Sequence, residues 1–410
     1  MDQVQETADQ AALTFNATRR RFAGLLVVNA LLTLVTLGIY RFWAKTNIRR
    51  FFWRNVSFLD DPLEYTGTGG ELFVGFLIVI AVLFPLGLVY GAINTLVPPH
   101  HPEMHVALEV LYYVVLFALL QIGFYRMWRY RMSRTRWRGV RFGLDGSTWS
   151  YLKLAAGWTV LTVLTLGLAY PFMQIDLWRY QVRHTRLGDL AFRFEGSART
   201  LLPAWAPVFA AILINAGFAL WAVMEFGFGT RVDFNSLDTA QRDAVAIVGG
   251  LILLTDALGL FGFMFYRVRQ ARLQIGGLRL GEASFRSRLP FWWLFLVGVI
   301  CIIMILAAFA ALLGVFAPSL IGAGQQLRYG GPADARMISD LTGFAVAGFV
   351  TLVLLIPFVW TLIFRFEIVK QLVKTTTVDN PHVLEHAVQT ASTGPRTGEG
   401  LADALDIGGF

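Results

Sequence analysis

Residues 32 to 45 read Leu-Thr-Leu-Val-Thr-Leu-Gly-Ile-Tyr-Arg-Phe-Trp-Ala-Lys, an apolar run that passes directly into basic and aromatic residues. The apolar half belongs to the first of eight uninterrupted apolar stretches, and a helix needs roughly 17–25 such residues to cross a bilayer. The stretches are 22–40, 72–96, 106–124, 154–172, 207–226, 244–265, 291–317 and 341–364.

The overall composition excludes an ordinary soluble protein. Of the 410 residues, 56% are hydrophobic and 15% are charged, whereas soluble domains carry about 25% charged residues. The one cysteine, Cys301, excludes a disulfide framework and a multi-cysteine metal site. No phosphate-binding glycine loop or nucleophile motif is present, so we expect neither an enzyme, nor a catalytic residue, nor a cofactor.

Positive charge predicts which apolar stretches cross, because Lys and Arg accumulate in cytoplasmic connections. If all eight stretches cross, the 35 basic residues divide 18 to 17 between the two sides. If the first and fourth stretches turn back, the division becomes 31 inside and 4 outside. We therefore predict a multi-pass membrane protein with six crossings, two re-entrant or partly inserted stretches and both termini in the cytoplasm.

The two stretches that turn back resemble each other, which indicates an internal repeat. A shift of 129 positions aligns residues 34–38 with 163–167, and Arg50 with Arg179. Short segments at 63–67 and 191–196 have the alternation of strands. The predicted fold is therefore all-α and multi-pass, with tandem helical repeats and short cytosolic β-hairpin-like segments. Its predicted parts are a polar N-terminal tail (1–21), repeat units at 22–150 and 151–289, a shorter third unit (290–375) and a flexible C-terminal tail (376–410).

Residues 36–45 of the stretch quoted first, followed by Arg49, Arg50 and residues 64–67, resemble the signature of the YjgN family. The resemblance covers about residues 14 to 375 and implies a bacterial inner-membrane protein with tandem repeats. The family is a domain of unknown function, so the resemblance implies no catalytic residues. The second copy departs from the pattern, with Pro171 and Met173 near the places of the first copy's Tyr and Trp.

Polar residues inside the apolar stretches are the candidates for an ion or substrate pathway. Asp256 is an acidic residue well inside the sixth stretch, where an ionisable side chain costs free energy unless it pairs with another group or contacts water. Asn215 and Gln121 are its possible partners. Small polar residues mark the stretches that turn back; helix packing is the favoured explanation for them, and a pathway lined by re-entrant hairpins is the alternative. These residues are Asn29, Thr33, Thr36, Thr162 and Thr165.

Arginine and tryptophan residues near the cytoplasmic ends of the stretches are candidates for binding lipid headgroups, because the Arg fork matches phosphate and indole settles at headgroup depth. They are Arg41, Arg50, Arg126, Arg179, Arg267, Trp43 and Trp128. Anionic membrane lipids are the expected partners and nucleic acid is not. His101 and His105 lie four residues apart in a proline-rich loop, which we interpret as a solvated loop without a metal site.

Two functions remain open. Repeated architecture, stretches that turn back and Asp256 favour transport or channel-like passage of a small solute. The arginine and tryptophan residues near the cytoplasmic ends of the stretches instead favour an anionic-lipid-binding or membrane-organising protein without transport activity. A water-filled cavity lined by Asp256 or the threonines would favour transport.

Overall fold

The computed structural model describes residues 10–98, 100–227, 238–329, 335–351, 355–386 and 388–389. Its α-helices are α1 (Arg19–Val35), α2 (Arg41–Arg54), α3 (Gly69–Leu96), α4 (Pro102–Arg134), α5 (Thr148–Leu164), α6 (Tyr170–Arg183), α7 (Leu202–Phe226), α8 (Thr239–Gly276), α9 (Phe291–Tyr329), α10 (Ala335–Val350), α11 (Ile356–Val359) and α12 (Phe366–Lys374). A π-helical segment, Trp360–Arg365, joins the last two.

Short strands lie between the helices, and most of them occur as two consecutive strands. They are β1 (Gln10–Ala12), β2 (Thr14–Phe15), β3 (Val56–Phe58), β4 (Asp61–Tyr65), β5 (Thr135–Trp137), β6 (Val140–Leu144), β7 (Thr185–Leu187), β8 (Leu190–Phe194), β9 (Leu278–Leu280), β10 (Ala283–Ser287) and β11 (Thr376–Asp379). Over the described residues they form one antiparallel series in the order β1-β11-β10-β9-β8-β7-β6-β5-β4-β3-β2.

The predicted all-α class with short β-hairpin-like segments was wrong. Each hairpin pairs with the next one, so the strands build a continuous sheet of eleven strands over the described residues. The segments predicted at 63–67 and 191–196 lie in or overlap β4 and β8, two of its members. Strands of two to five residues are too short to show a clear alternation, and the chain ends contribute too: Gln10 of β1 pairs with Asp379 of β11.

The chain divides into two compact units. Unit one comprises Met1–Ala12, Leu63–Leu289 and Thr376–Phe410, and unit two comprises Leu13–Pro62 and Pro290–Thr375. Residues 390–410 of the predicted C-terminal tail and residues 1–9 of the N-terminal tail lie outside the described residues.

Within the described residues, five helices are long and apolar enough to cross a membrane. They are Gly69–Leu96, Pro102–Arg134, Ala198–Phe226, Thr239–Gly276 and Phe291–Gly322. The stretch predicted at 341–364 includes residues 352–354, which lie outside the described part. Length and apolar composition alone therefore identify the chain as a membrane protein.

The core of each unit lies where helices meet the sheet. In unit one, Trp205 stacks on Tyr170 at 4.8 Å between ring centroids, and Tyr266 packs edge-on against Trp205. In unit two, Phe22 contacts Phe52 at 4.9 Å and Phe366 at 5.5 Å. Each cluster thus includes residues of a helical hairpin described next, Tyr170 in unit one and Phe22 with Phe52 in unit two.

Candidate functional site

The first and fourth apolar stretches end in the same tight turn. Helix α1 ends at Val35 and α2 packs back against it, and α5 and α6 form the corresponding pair in unit one. The N–H of Gly38 donates to the carbonyl of Thr33 at 2.7 Å, and the N–H of Gly167 donates to that of Thr162 at 2.7 Å. The chain therefore reverses direction at the end of both stretches.

Threonine hydroxyls hold these turns. Thr36 donates to the carbonyl of Leu32 at 2.8 Å and accepts the N–H of Tyr40 at 2.9 Å. Thr165 makes the same two bonds in the second hairpin, at 2.7 and 3.1 Å. A hydroxyl that caps the backbone in this way satisfies the amides that a turn would otherwise leave without partners in lipid. The bonds support the packing interpretation of these threonines.

Polar side chains also join the two arms of each hairpin. Buried Asn29 accepts from the amide of Asn47 at 3.3 Å, and Thr33 donates to the carbonyl of Asn29 at 2.7 Å. In the second hairpin, 129 residues later, the indole of Trp158 donates to Asp176 at 3.1 Å. One arm is thus bonded to the other at equivalent positions, although the side chains differ.

Replacing Gly167 with alanine should destabilise unit one by about 1–2 kcal/mol. Its φ of +95° lies in the left-handed region, which L side chains adopt at roughly this cost, and an added Cβ would meet Ile212 at 3.4 Å. Gly157→Ala is the matched control, because Gly157 lies inside α5 with nothing within 4 Å and alanine is the better helix former. Unfolding in detergent measures both; a loss at Gly157 or a gain at Gly167 would contradict the expectation.

A cavity of about 320 Å³ lies in unit one, where α5 and α6 face α4 and α8. Its lining is aromatic, aliphatic and amide-bearing: Gln121, Phe124, Met127, Trp128, Tyr151, Ala155, Thr159, Met173, Gln174, Leu177, Trp178, Gln181 and Gln274. None of these described lining residues is Asp, Glu, Lys, Arg or His. The cavity is therefore suited to an uncharged ligand that offers both apolar surface and hydrogen-bonding groups.

The hydrogen-bonding groups of this cavity are only partly engaged. Gln181 donates to the hydroxyl of Tyr151 at 3.4 Å, and Gln174 accepts from Gln270 at 3.5 Å. The indole N–H of Trp178 is shielded from solvent and has no hydrogen-bond partner among the described residues. A buried donor without a partner costs about 1–3 kcal/mol.

The structure places the pathway candidates in separate locations. Asp256 is exposed on α8 and accepts from the amide of Asn215, on α7, at 3.0 Å. Neither Asp256 nor Asn215 lines the cavity. Gln121, the second suggested partner, lines the cavity instead. Thr162 reaches the cavity indirectly, because it contacts the sulfur of Met173 at 3.8 Å.

The lipid-headgroup candidates lie on four helices of the two units. Trp128 lines the cavity and packs edge-on against Trp178 at 5.7 Å. Arg179 pairs with Asp176, and Arg267 donates to Gln270 at 2.8 Å. Arg126 and Arg41 are exposed, Arg50 is half-buried, and Trp43 stacks on Tyr40 at 6.2 Å.

Two structurally important carboxylates, Glu71 and Glu367, are not among the residues that the sequence predicts to be functional. Glu71 forms a capping box with Thr68 at the start of α3, accepts the hydroxyl of Tyr130 at 2.7 Å and pairs with Arg134. The Thr-x-x-Glu spacing before an apolar run is a capping signal that could have identified it. Glu367 in unit two is fully buried, and no local pattern marks it, since its partners Arg19 and Trp293 are distant in sequence.

Comparisons with known proteins agree with the membrane assignment. A family described as bacterial protein of unknown function (DUF898) matches residues 10–404. The inner membrane protein YjgN of Salmonella typhimurium is 29% identical over 163 residues, 38% of each chain. The YjgN proteins of Escherichia coli K12 and O157:H7 are 28% identical over 159 residues (39% of this chain, 37% of theirs) and 32% over 136 residues (33% and 31%). The chain thus spans less than half the length of these relatives. No solved structure matches it.

Proposed function

The chain belongs to the DUF898 family, as the resemblance to YjgN indicated, and from this premise we propose that it binds a small uncharged solute at its inner surface and passes it across the membrane. The observation that carries the proposal is the cavity of about 320 Å³ with an uncharged lining. Ligand sites are typically concave, mostly apolar and supplied with a few polar groups, which describes this lining.

The position of the cavity supports this function. Two of its walls, α4 and α8, are helices long enough to cross the membrane, whereas α5 and α6 form the hairpin that turns back. Hairpins of this kind survive at membrane depth only beside protein or water, and they often border the substrate sites of transporters. The equivalent hairpin geometry in unit two supports an origin by internal repetition.

Lipid headgroups are the second candidate ligand of the membrane-facing surface, and we propose anionic lipids as partners of both units. Large apolar side chains are exposed at each hairpin tip, with Leu37 94% and Leu166 56% exposed, which fits insertion into the inner leaflet. Exposed Arg41, Arg126 and Arg267 are suited to the adjoining phosphates. Both termini would then lie in the cytoplasm. Neither role requires a catalytic step.

Uptake by liposomes that contain the full chain tests the proposal. We expect glycerol, urea or another small uncharged solute to enter faster than into protein-free liposomes, while sodium and sulfate ions do not. Uptake of no uncharged solute from a broad panel, with folded protein verified in the same liposomes, would refute transport. Stabilisation by phosphatidylglycerol without any uptake would instead favour the lipid-binding role.

A further inference from the structure

Arginine occupies one face of six consecutive strands in unit one. The register pairs Arg136 with Arg141, Gly143 with Arg186, Arg186 with Ala191, Arg193 with Arg279, and Arg279 with Ser284. Residues paired directly across strands share a face, as do residues two apart in one strand. Each strand from β5 to β10 therefore places one arginine on this surface, the sixth being Arg286.

Carboxylates neutralise half of this arginine face. Asp145 pairs with Arg186, Glu195 with Arg279 at 3.1 Å, and Asp379 with Arg286 at 2.9 Å. Arg279 also faces Arg193 across the ladder, so this like-charged pair has Glu195 beside it. At this pair, the negative charge of Glu195 offsets the positive charge of two opposed arginines.

The pair Arg136 and Arg141 has no such carboxylate. The two are direct cross-strand partners, and among the described residues neither forms an ion pair. Glu64 is the cross-strand neighbour of Arg136 on β4, but it is exposed and makes no ion pair with it there. The Nε of Arg136 is shielded from solvent and lacks a hydrogen-bond partner in the described part of the chain. Like charges directly opposite each other destabilise a sheet.

We propose that Arg136 and Arg141 together bind a phosphate group of a soluble ligand. Cross-strand partners have Cβ atoms about 4.5–5.5 Å apart, so both guanidinium groups can reach one phosphate and donate to its oxygens in the bidentate manner typical of Arg. The bound anion supplies the negative charge that Glu195 supplies to the other pair.

The length of α4 favours a soluble ligand over a lipid headgroup. The apolar stretch of this helix ends at Phe124, and α4 continues to Arg134 before β5 begins. Ten helical residues extend about 15 Å at 1.5 Å per residue. That distance exceeds the Debye length of about 8 Å at physiological ionic strength, so headgroup charge at the inner surface is largely screened at this pair.

Thermal unfolding of the full chain in detergent, with pyrophosphate as the probe, tests this site. In phosphate-free buffer of low ionic strength we expect a saturable rise in Tm with pyrophosphate, since a ligand that binds the folded state stabilises it. The double variant Arg136→Gln/Arg141→Gln should lose this rise. Arg193→Gln is the matched control, because its opposing arginine has Glu195, and it should keep the rise.

Three results would overturn the proposal. They are the absence of a saturable rise in the wild-type chain, an equal rise in the double variant, and an equal rise with sodium chloride of matched ionic strength. A stabilisation that needs Arg136 and Arg141 but comes only from phosphatidylglycerol in the micelle would overturn the soluble source. If the double variant unfolds, Arg141→Gln with equilibrium dialysis of labelled pyrophosphate provides the same comparison, and undiminished binding would refute the site.

Discussion

Glu367→Ala is expected to lower the free energy of unfolding by about 3 kcal/mol, because breaking a buried, hydrogen-bonded ion pair costs roughly 3–5 kcal/mol. The carboxylate is fully buried and accepts from Arg19 at 2.6 Å, Trp293 at 2.9 Å and Gln371 at 2.7 Å, with Lys370 at 3.4 Å. The lower end of the range applies because the side chain of Arg19 is 51% exposed and water can solvate it.

Denaturant unfolding in detergent, followed by tryptophan fluorescence, measures this loss. Glu282→Ala is the control, since Glu282 is exposed in the turn between β9 and β10 and surface changes usually stay within about 0.5 kcal/mol. Equal effects of the two substitutions would show that the buried carboxylate does not stabilise unit two.

The same carboxylate should make stability depend on pH in the acid range. Burial by itself would raise the pKa of Glu367, but hydrogen bonds from Gln371, Trp293 and Arg19, with the charge of Lys370, lower it to about 2. The unfolded value is about 4.3, so the contribution is fully present above that pH and is lost as pH falls towards 2. Glu367→Gln should therefore lose less stability than the wild-type chain over this interval, and parallel pH profiles would contradict the assignment.

Thr159→Phe is expected to reduce solute uptake by more than tenfold. Thr159 lines the cavity of about 320 Å³ from α5, and a phenyl ring there would occupy space that the proposed ligand needs. Because the ring enters existing space, the fold should tolerate it better than insertion into a packed core, which costs about 1–3 kcal/mol.

Val160→Phe is the matched control for this substitution. Val160 is the next residue of α5, and it is 59% exposed, outside the cavity. It should preserve uptake, and both variants should keep the wild-type Tm within a few degrees. If Thr159→Phe left uptake intact in folded protein, the cavity would not be part of the route.

The distribution of Lys and Arg along the chain, and the similarity between its apolar stretches, predict much of the helical organisation. The turn-back of 22–40 follows from the crowding of arginine in the next connection and from its likeness to 154–172. The side-chain partner of Asp256 was predicted only as one of two residues, and the structure selects Asn215. The cavity could not be predicted, because one of its lining residues, Gln274, lies more than ninety positions along the chain from the lining residues of α6.

Sequence alone determined that the chain is a membrane protein and predicted that two apolar stretches turn back, because hydrophobicity and positive charge act on each segment according to its own composition. Tertiary structure alone decided the sheet, the cavity and the arginine pair. Strands such as Thr135–Trp137 are too short for their sequence to specify which strand they pair with. Whether Arg136 lies opposite Arg141 or opposite a carboxylate depends on the strand register, which packing selects.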